Sequence, residues 1–472
     1  MASTQNQHPA SLSRRFFLRR CGMGMGLVGL QTLLGAAATT HANPLAPKRS
    51  HFPGTAKRVI HFFLNGGPSH VDTFDPKPAL QTYAGQPLPT GHLRTERHTG
   101  AAFPSPFTFT RHGQSGLPVS ELFPKIGACA DNLAVIRSMK AELPNHEPSL
   151  VLMNCGDSIL SRPSVGSWAT YGLGTENQNL PAFITMCPGG YPIKDAQNWQ
   201  AGFLPGIYQG TFIDTQHTEI DKLIKHIRNP SIPLATQRAQ LEFVADLNRA
   251  HSLERGRNPD MEARIQTFEL AYRMQMEATD AFNLAAESHA MREAYGDGVH
   301  GRQTLIARRL LERGVRYVQL WHGAGQPWDN HDKIEANHRR LANELDQPVA
   351  TLLTDLKQRG MLDDTLVIFG GEFGRTPTVE LNPNGQSILG RDHNPYGFSM
   401  WLAGGGIKGG TTHGATDEFG FQAEKQITSV HDLHATILHL LGFDHEAFTH
   451  RYAGRDFRLT DVSGQVIREI LA

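Results

Sequence analysis

Short apolar runs alternate with amphipathic stretches through most of this chain. Residues 58–64, 133–137, 181–186, 315–322, 365–369 and 397–402 are apolar or β-branched runs bounded by Gly, Pro or polar residues, and read as buried strands. Between them, residues 119–130, 303–313 and 335–359 carry helical spacing. The last two stop at Gly314 and Gly360, a C-cap signal. Strands alternating with helices over hundreds of residues predict an α/β fold, a mostly parallel sheet flanked by helices with right-handed crossovers. Residues 80–118 are rich in Pro, Gly and Thr and read as irregular. Residues 236–288, rich in Ala, Glu, Arg, Leu, Met and Gln, carry no strand signal. They read as a helical insertion folded back at Gly256-Arg257-Asn258-Pro259, with Met261, Met274 and Met276 as packing residues.

Composition narrows the function classes. At 472 residues the chain can bury a large core. Lys+Arg and Asp+Glu both number 45, a balance that argues against a general nucleic-acid binder or a polybasic membrane-surface protein. The N-terminus departs from this balance. Ser13-Arg14-Arg15-Phe16-Phe17-Leu18-Arg19 precedes a weakly apolar run from Met23 to Ala38, too short and too rich in Gly and Ala to span a membrane. The pattern resembles a twin-arginine export signal ending near Thr40-His41-Ala42. Residues 1–42 are therefore expected to be a signal peptide, 43–57 a Pro/basic linker and 58–472 the folded domain, periplasmic or extracellular, with no transmembrane segment once the signal is removed. Of the four Cys, Cys21 leaves with the signal. Cys129, Cys155 and Cys187 allow one disulfide or three free thiols.

Candidate chemistry gathers in loops that leave strand C-terminal ends, where open α/β sheets place ligands. The first loop, Asn65 to Asp75, offers Asn65, His70 and Asp72. The second, Asn145-His146-Glu147-Pro148-Ser149, offers His146 as a ligand, general acid, nucleophile or cap; Ser149 and Ser158 have no paired base in the sequence. The third runs from Trp321 to Asp332 and packs His322, Trp328, Asp329 and His331 together. The two-residue spacing of Asp329 and His331 puts both on one side of an extended backbone. The fourth contains Glu372, Arg375, Asp392 and His393. Asp, Glu and His in proximity are donors for a divalent cation, and Arg375 suits a clamp on an oxyanion. His413 lies after the next strand, as a surface turn or a site residue. No nucleophile elbow, phosphate-binding loop, dinucleotide fingerprint or His-Glu-x-x-His motif is present.

These residues also resemble a known family. Phe63-Leu64-Asn65-Gly66-Gly67-Pro68-Ser69-His70-Val71-Asp72-Thr73-Phe74-Asp75, Arg162-Pro163-Ser164-Val165-Gly166-Ser167-Trp168, Gly371-Glu372-Phe373-Gly374-Arg375-Thr376-Pro377, Gly390-Arg391-Asp392-His393 and the glycine-rich Gly404–Gly410 stretch look like domain-of-unknown-function family 1501, over nearly the whole mature chain. The resemblance implies export and the alkaline phosphatase-like fold shared with sulfatases. Val430 to Gly442 is similar to the late helix of sulfatases, and His146-Glu147-Pro148-Ser149 falls where they carry the nucleophile. Three departures stand out: Asn65 at the first-strand Asp, His146 at the nucleophile, and Phe373 where a His is expected.

The sequence therefore predicts an exported, metal-dependent hydrolase of phosphate or sulfate esters with a non-standard site. The expected metal set is Glu372, Asp392, His393, His322, Asp329, His331 and Asn65, for zinc, calcium or manganese, with His146 and Arg375 catalytic. The expected substrate is a small-molecule or glycan ester. The alternative is a non-catalytic cell-envelope binding protein that keeps the fold; a phosphomutase-like transferase is a weaker third reading.

Overall fold

The computed structural model describes residues 43–472 except 91–92, 225–230 and 256–258, and within the helical insertion leaves out side chains around 255–264 and 276–279. The export signal and the 256–258 part of the insertion's turn lie outside the described residues, as do the side chains of Met261 and Met276.

Among the described residues, nine strands form the central sheet: β1 (Arg58–Phe63), β2 (Leu133–Lys140), β3 (Phe183–Met186), β4 (Thr211–Ile213), β5 (Tyr317–Trp321), β6 (Thr365–Gly370), β7 (Phe398–Ala403), β8 (Thr411–His413) and β9 (Thr428–Ser429). Their order is β8-β2-β7-β6-β1-β5-β3-β4, with β9 also on β2. Every pairing is parallel except those of β7, which is antiparallel to both β2 and β6. Strands β1, β5 and β6 are buried almost throughout, as expected where helices cover both faces. The six runs expected from periodicity are all present. β4, β8 and β9 were not expected, being only two or three residues long.

The helices that matter for the site are α1 (His146–Cys155), α2 (Val165–Leu173), α3 (Leu234–Arg255), α4 (Pro259–Ala281), α5 (Val299–Glu312), α6 (Ile334–Gln358) and α7 (Val430–Leu440). α6 buries Leu341, Leu345, Val349, Leu352 and Leu356, one stripe at three- and four-residue spacing. α3 and α4 are the expected insertion, and Met274 packs into the core.

Two expectations fail locally. Residues 119–130 are not one helix: Leu117–Ser120 is a strand paired with Phe109–His112, and the helix is confined to Pro124–Ala128. Proline at the first helical position delays the start. The irregular stretch 80–118 also contains Thr99–Ala102, which pairs with Thr378–Glu380. Residues expected as a linker are bonded into the body, through Lys48 N–H to Leu173 O and Ala56 N–H to Leu440 O. Cys129, Cys155 and Cys187 are free thiols, and burial pushes those of Cys155 and Cys187 well above their ordinary range, so neither is a reactive thiolate.

Candidate metal centre

Because β7 is antiparallel to both neighbours, β2 runs in the same direction as β6, β1 and β5. The C-terminal ends of these four strands and the segment entering β7 therefore meet along one edge of the sheet. β2 leads to His146, the first residue of α1; β5 leads to Asp329 and His331; β6 leads to Glu372 and Arg375. A two-residue antiparallel ribbon then sets Arg375 opposite His393.

Three imidazoles converge there. Nε2 of His146, His331 and His393 lies 3.3, 2.8 and 3.1 Å from the same oxygen, Asp329 Oδ1. Behind each ring stands a carboxylate. His146 Nδ1 meets Glu372 Oε1 at 2.7 Å, His393 Nδ1 meets Glu96 Oε2 at 2.7 Å, and His331 Nδ1 bonds Glu380. An ionised carboxylate only accepts, so each Nδ1 carries a proton, and a ring that is neutral then turns its Nε2 lone pair inward. Lone pairs facing a carboxylate repel unless the rings are protonated or a cation lies among them.

The surroundings fit a cation. Nε2 of His146 and of His331 makes no directional hydrogen bond, and the buried Asp392 Oδ1 and Glu372 Oε2 also lack partners. His146, Asp329 and His393 form one group whose ligand atoms lie within 4.8 Å of one another; His331, Asp392 and His393 form a second that shares His393. Carboxylates behind metal-binding imidazoles fix ring orientation and raise basicity, the arrangement found here three times.

Burial opposes charging His146, but hydrogen bonds to Asp329 and Glu372 outweigh it and raise its pKa. His331 behaves alike through Asp329 and Glu380. Burial and the nearby Arg375 charge push His393 down to about 2, so that ring stays neutral. Burial tends to raise Asp329, yet the three histidines and Arg375 hold it far below the carboxylate range.

Four expected site residues have other work. Asn65 is fully buried; its amide donates to Gly323 O at 2.9 Å and Gly325 O at 2.6 Å, and its oxygen accepts the His322 N–H at 3.2 Å. It pins the β5 loop and presents no free oxygen to a metal. Glu372 backs His146 and accepts the Gly66 N–H at 2.9 Å, both through Oε1, so that only its Oε2 is left without a partner. Arg375 is fully buried and donates to Gly66 O, to Gly67 O at 2.8 Å, to Arg391 O at 3.1 Å and to Asp329 at 2.7 Å. With these acceptors it orients Asp329 and cannot grip a substrate oxyanion. His322 lies in a separate group with His300 and Glu344. Trp328 Nε1–H donates to its Nδ1 at 2.9 Å, which leaves the proton on Nε2, 2.8 Å from Glu344. A ring so held does not offer Nε2 to a cation.

Asp329, His331, Asp392 and His393 are brought together with His146, as the sequence reading had them near one site. His70 instead bonds Gly420 O, Asp72 forms a buried pair with Arg391, and His413 lies on the outermost strand, β8. Ser149 donates its hydroxyl to Leu143 O and is buried, so it is no nucleophile.

A protein-family model matches residues 56–471, nearly all of the described chain. The chain belongs to the DUF1501 family. The family is described only as proteins of unknown function, and no curated protein sequence matches the chain. Among solved structures, this DUF1501 chain is similar to a sulfatase from Pseudoalteromonas sp. (11% identity, 83% of this chain and 68% of that one, TM-score 0.34). It is also similar to the alkaline phosphatase of the Antarctic bacterium TAB5 (11% identity, 75% and 92%, TM-score 0.31). A third is the C-terminal periplasmic domain of EcEptC from Escherichia coli, in complex with Zn (9% identity, 85% and 88%, TM-score 0.34).

Sequence reading missed Glu96, Glu380 and His338 in this DUF1501 chain. Glu380 had no signal: the three-residue strand Thr378–Glu380 that buries it leaves no periodic pattern, and its partner His331 lies 49 positions away. Glu96 had none either: its role depends on a distant ring, 297 positions along the chain.

Proposed function

We propose that this protein is a metal-dependent hydrolase of phosphate or sulfate esters. The observation that carries the reading is the convergence of three carboxylate-backed Nε2 atoms on Asp329. His146, His331 and His393 would hold the cation, with Asp329 and Asp392 as oxygen donors. Such a nitrogen-rich set suits zinc or manganese, whereas calcium takes oxygen ligands. A bound divalent ion supplies Lewis-acid polarisation of an ester oxygen and lowers the pKa of a water. Arg375 fixes Asp329 through one guanidinium nitrogen while four backbone carbonyls, those of Gly66, Gly67, Trp328 and Arg391, fix the guanidinium. Phe373, fully buried, packs 4.8 Å from both the His146 and His393 rings and keeps that side of the centre apolar. His146 replaces a hydroxyl at the start of α1 and Ser149 is engaged, so direct attack by water is favoured over a covalent intermediate.

A second reading, a non-catalytic envelope binding protein, is favoured by the full engagement of Arg375, which leaves no buried guanidinium for substrate. One experiment separates them. The mature protein is purified and its metal measured by mass spectrometry. Aryl phosphate, phosphodiester and aryl sulfate substrates are then assayed with wild type, His146→Ala and His393→Ala. Turnover lost with the metal in both variants supports hydrolysis. No metal and no turnover with any added divalent ion would sink it; metal without turnover leaves the binding reading. Export to the periplasm or beyond belongs to this proposal. Among the described residues no helix is long and apolar enough to cross a membrane.

A further inference from the structure

Beside the centre lies a cavity of about 530 Å³ lined by Arg97, His98, Glu380, Leu381, Asn382, Pro383, Gly385 and Ile388. It shares Glu380 with the metal centre. Arg97 also reaches the centre directly, because its backbone N–H donates to Asp392 Oδ2 at 2.6 Å. The cavity therefore begins one residue from a proposed ligand.

Its lining carries a distinct charge pattern. Glu380 is the only carboxylate among the described lining residues, and both oxygens are engaged, one by His331 and the other by Arg97 at 3.2 Å. Among the lining residues no carboxylate oxygen is left free to repel an anion. Arg97 uses only Nη1 in that pair. Its Nε and Nη2 have no protein acceptor among the described residues, and its side chain is about half exposed (49%). The exposed His98 ring has no protein partner among the described residues either, while the His98 carbonyl is fixed by the Leu381 N–H. Leu381, Pro383 and Ile388 add apolar lining to the same cavity. A free guanidinium edge and imidazole together with aliphatic lining match an apolar body that bears a carboxylate.

We infer that this cavity is the leaving-group subsite, and that the esters this protein acts on carry a carboxylate on the leaving group. The inference rests on the hydrolase reading for the ester, and on the cavity alone for the carboxylate. The test has two arms. In the first, kcat/KM is compared for 3-carboxyphenyl and phenyl phosphate, and for the corresponding sulfates, in wild type, Arg97→Gln and His98→Ala. Wild type is expected to prefer the carboxylated ester at least tenfold, with the preference falling several-fold or more in each variant. A wild-type ratio near one, or a ratio that neither variant changes, overturns the inference. In the second arm, binding of 3-hydroxybenzoate and of phenol to the metal-loaded protein is followed by calorimetry, which needs no turnover. Binding of 3-hydroxybenzoate but not phenol, weakened at least several-fold in both variants, supports the subsite even if no ester is cleaved; in that case hydrolysis fails and the subsite stands. Equal binding of the two probes, or none, overturns it.

Discussion

An imidazole that binds a metal through one nitrogen almost always has its other N–H fixed by a partner, and here three side chains are placed to do that. Glu96, Glu372 and Glu380 each take one Nδ1–H and leave Nε2 for the centre. Glu96 is the most exposed of them, so its removal tests the principle with little risk to folding. Glu96→Ala is expected to weaken metal binding about 10-fold or more, measured by competition with a chromogenic chelator; unchanged affinity would mean that His393 is not a ligand. Asn65 makes the opposite point. An Asp there would lose both donated hydrogen bonds and set a carboxylate against the carbonyls of Gly323 and Gly325. Asn65→Asp is expected to lower stability by about 1–3 kcal/mol in chemical denaturation without adding a metal. The residue types at both positions were plain in the sequence. Their roles were not, because a carboxylate and an amide differ in function only through which atoms they face.

Among the elements, the loop from His322 to Asp332 contributes most, since it brings both Asp329 and His331. It is held by side chains that touch no metal. Trp328, fully buried, donates to His322 and packs 5.0 Å from His338, whose Nδ1 meets Asn330 Oδ1 at 2.9 Å and whose Nε2 accepts the Ser69 N–H at 3.1 Å. Close backbone approach does the rest. Gly66, at φ +114°, would put a Cβ 2.4 Å from Asp329 N, and a Cβ on Gly390 would lie 1.8 Å from His331 O. Trp328→Phe keeps an aromatic ring, smaller than the indole, but removes the donor. It is expected to weaken metal binding several-fold while far-UV circular dichroism is unchanged; full affinity would show that the loop is held without it. Gly390→Ala is expected to displace His331 and cost at least tenfold in metal affinity. Two aromatics and two histidines in one loop had already singled out this segment in the sequence. That His322 would face away from Asp329 and His331 depended on Glu344, 22 positions on in α6.

At the scale of the whole molecule, buried neutral histidines outside the centre tie stability to pH. Burial pushes His61, His338 and His434 down to about 3, and burial with the neighbouring His300 pushes His322 to about 4. In the unfolded chain each binds a proton near the ordinary value of about 6.5. Their contribution is therefore present above that pH and is lost as pH falls below it, by up to about 1.4 kcal/mol per pH unit for each histidine. The melting temperature is expected to drop steeply between pH 6.5 and 4; a flat profile there would contradict the burial of these rings. The sequence by itself determined the α/β class, six of the nine sheet strands, the helical insertion and the loops at which chemistry gathers. Local periodicity and glycine signals encode these, because a buried strand or an amphipathic helix leaves its pattern in neighbouring residues. Tertiary structure alone decided which histidines share a centre, which carboxylates stand behind them, and that Asn65 and Arg375 serve the scaffold. Those choices rest on contacts between residues up to about 300 positions apart, set by the mostly parallel sheet that brings four strand ends to one edge.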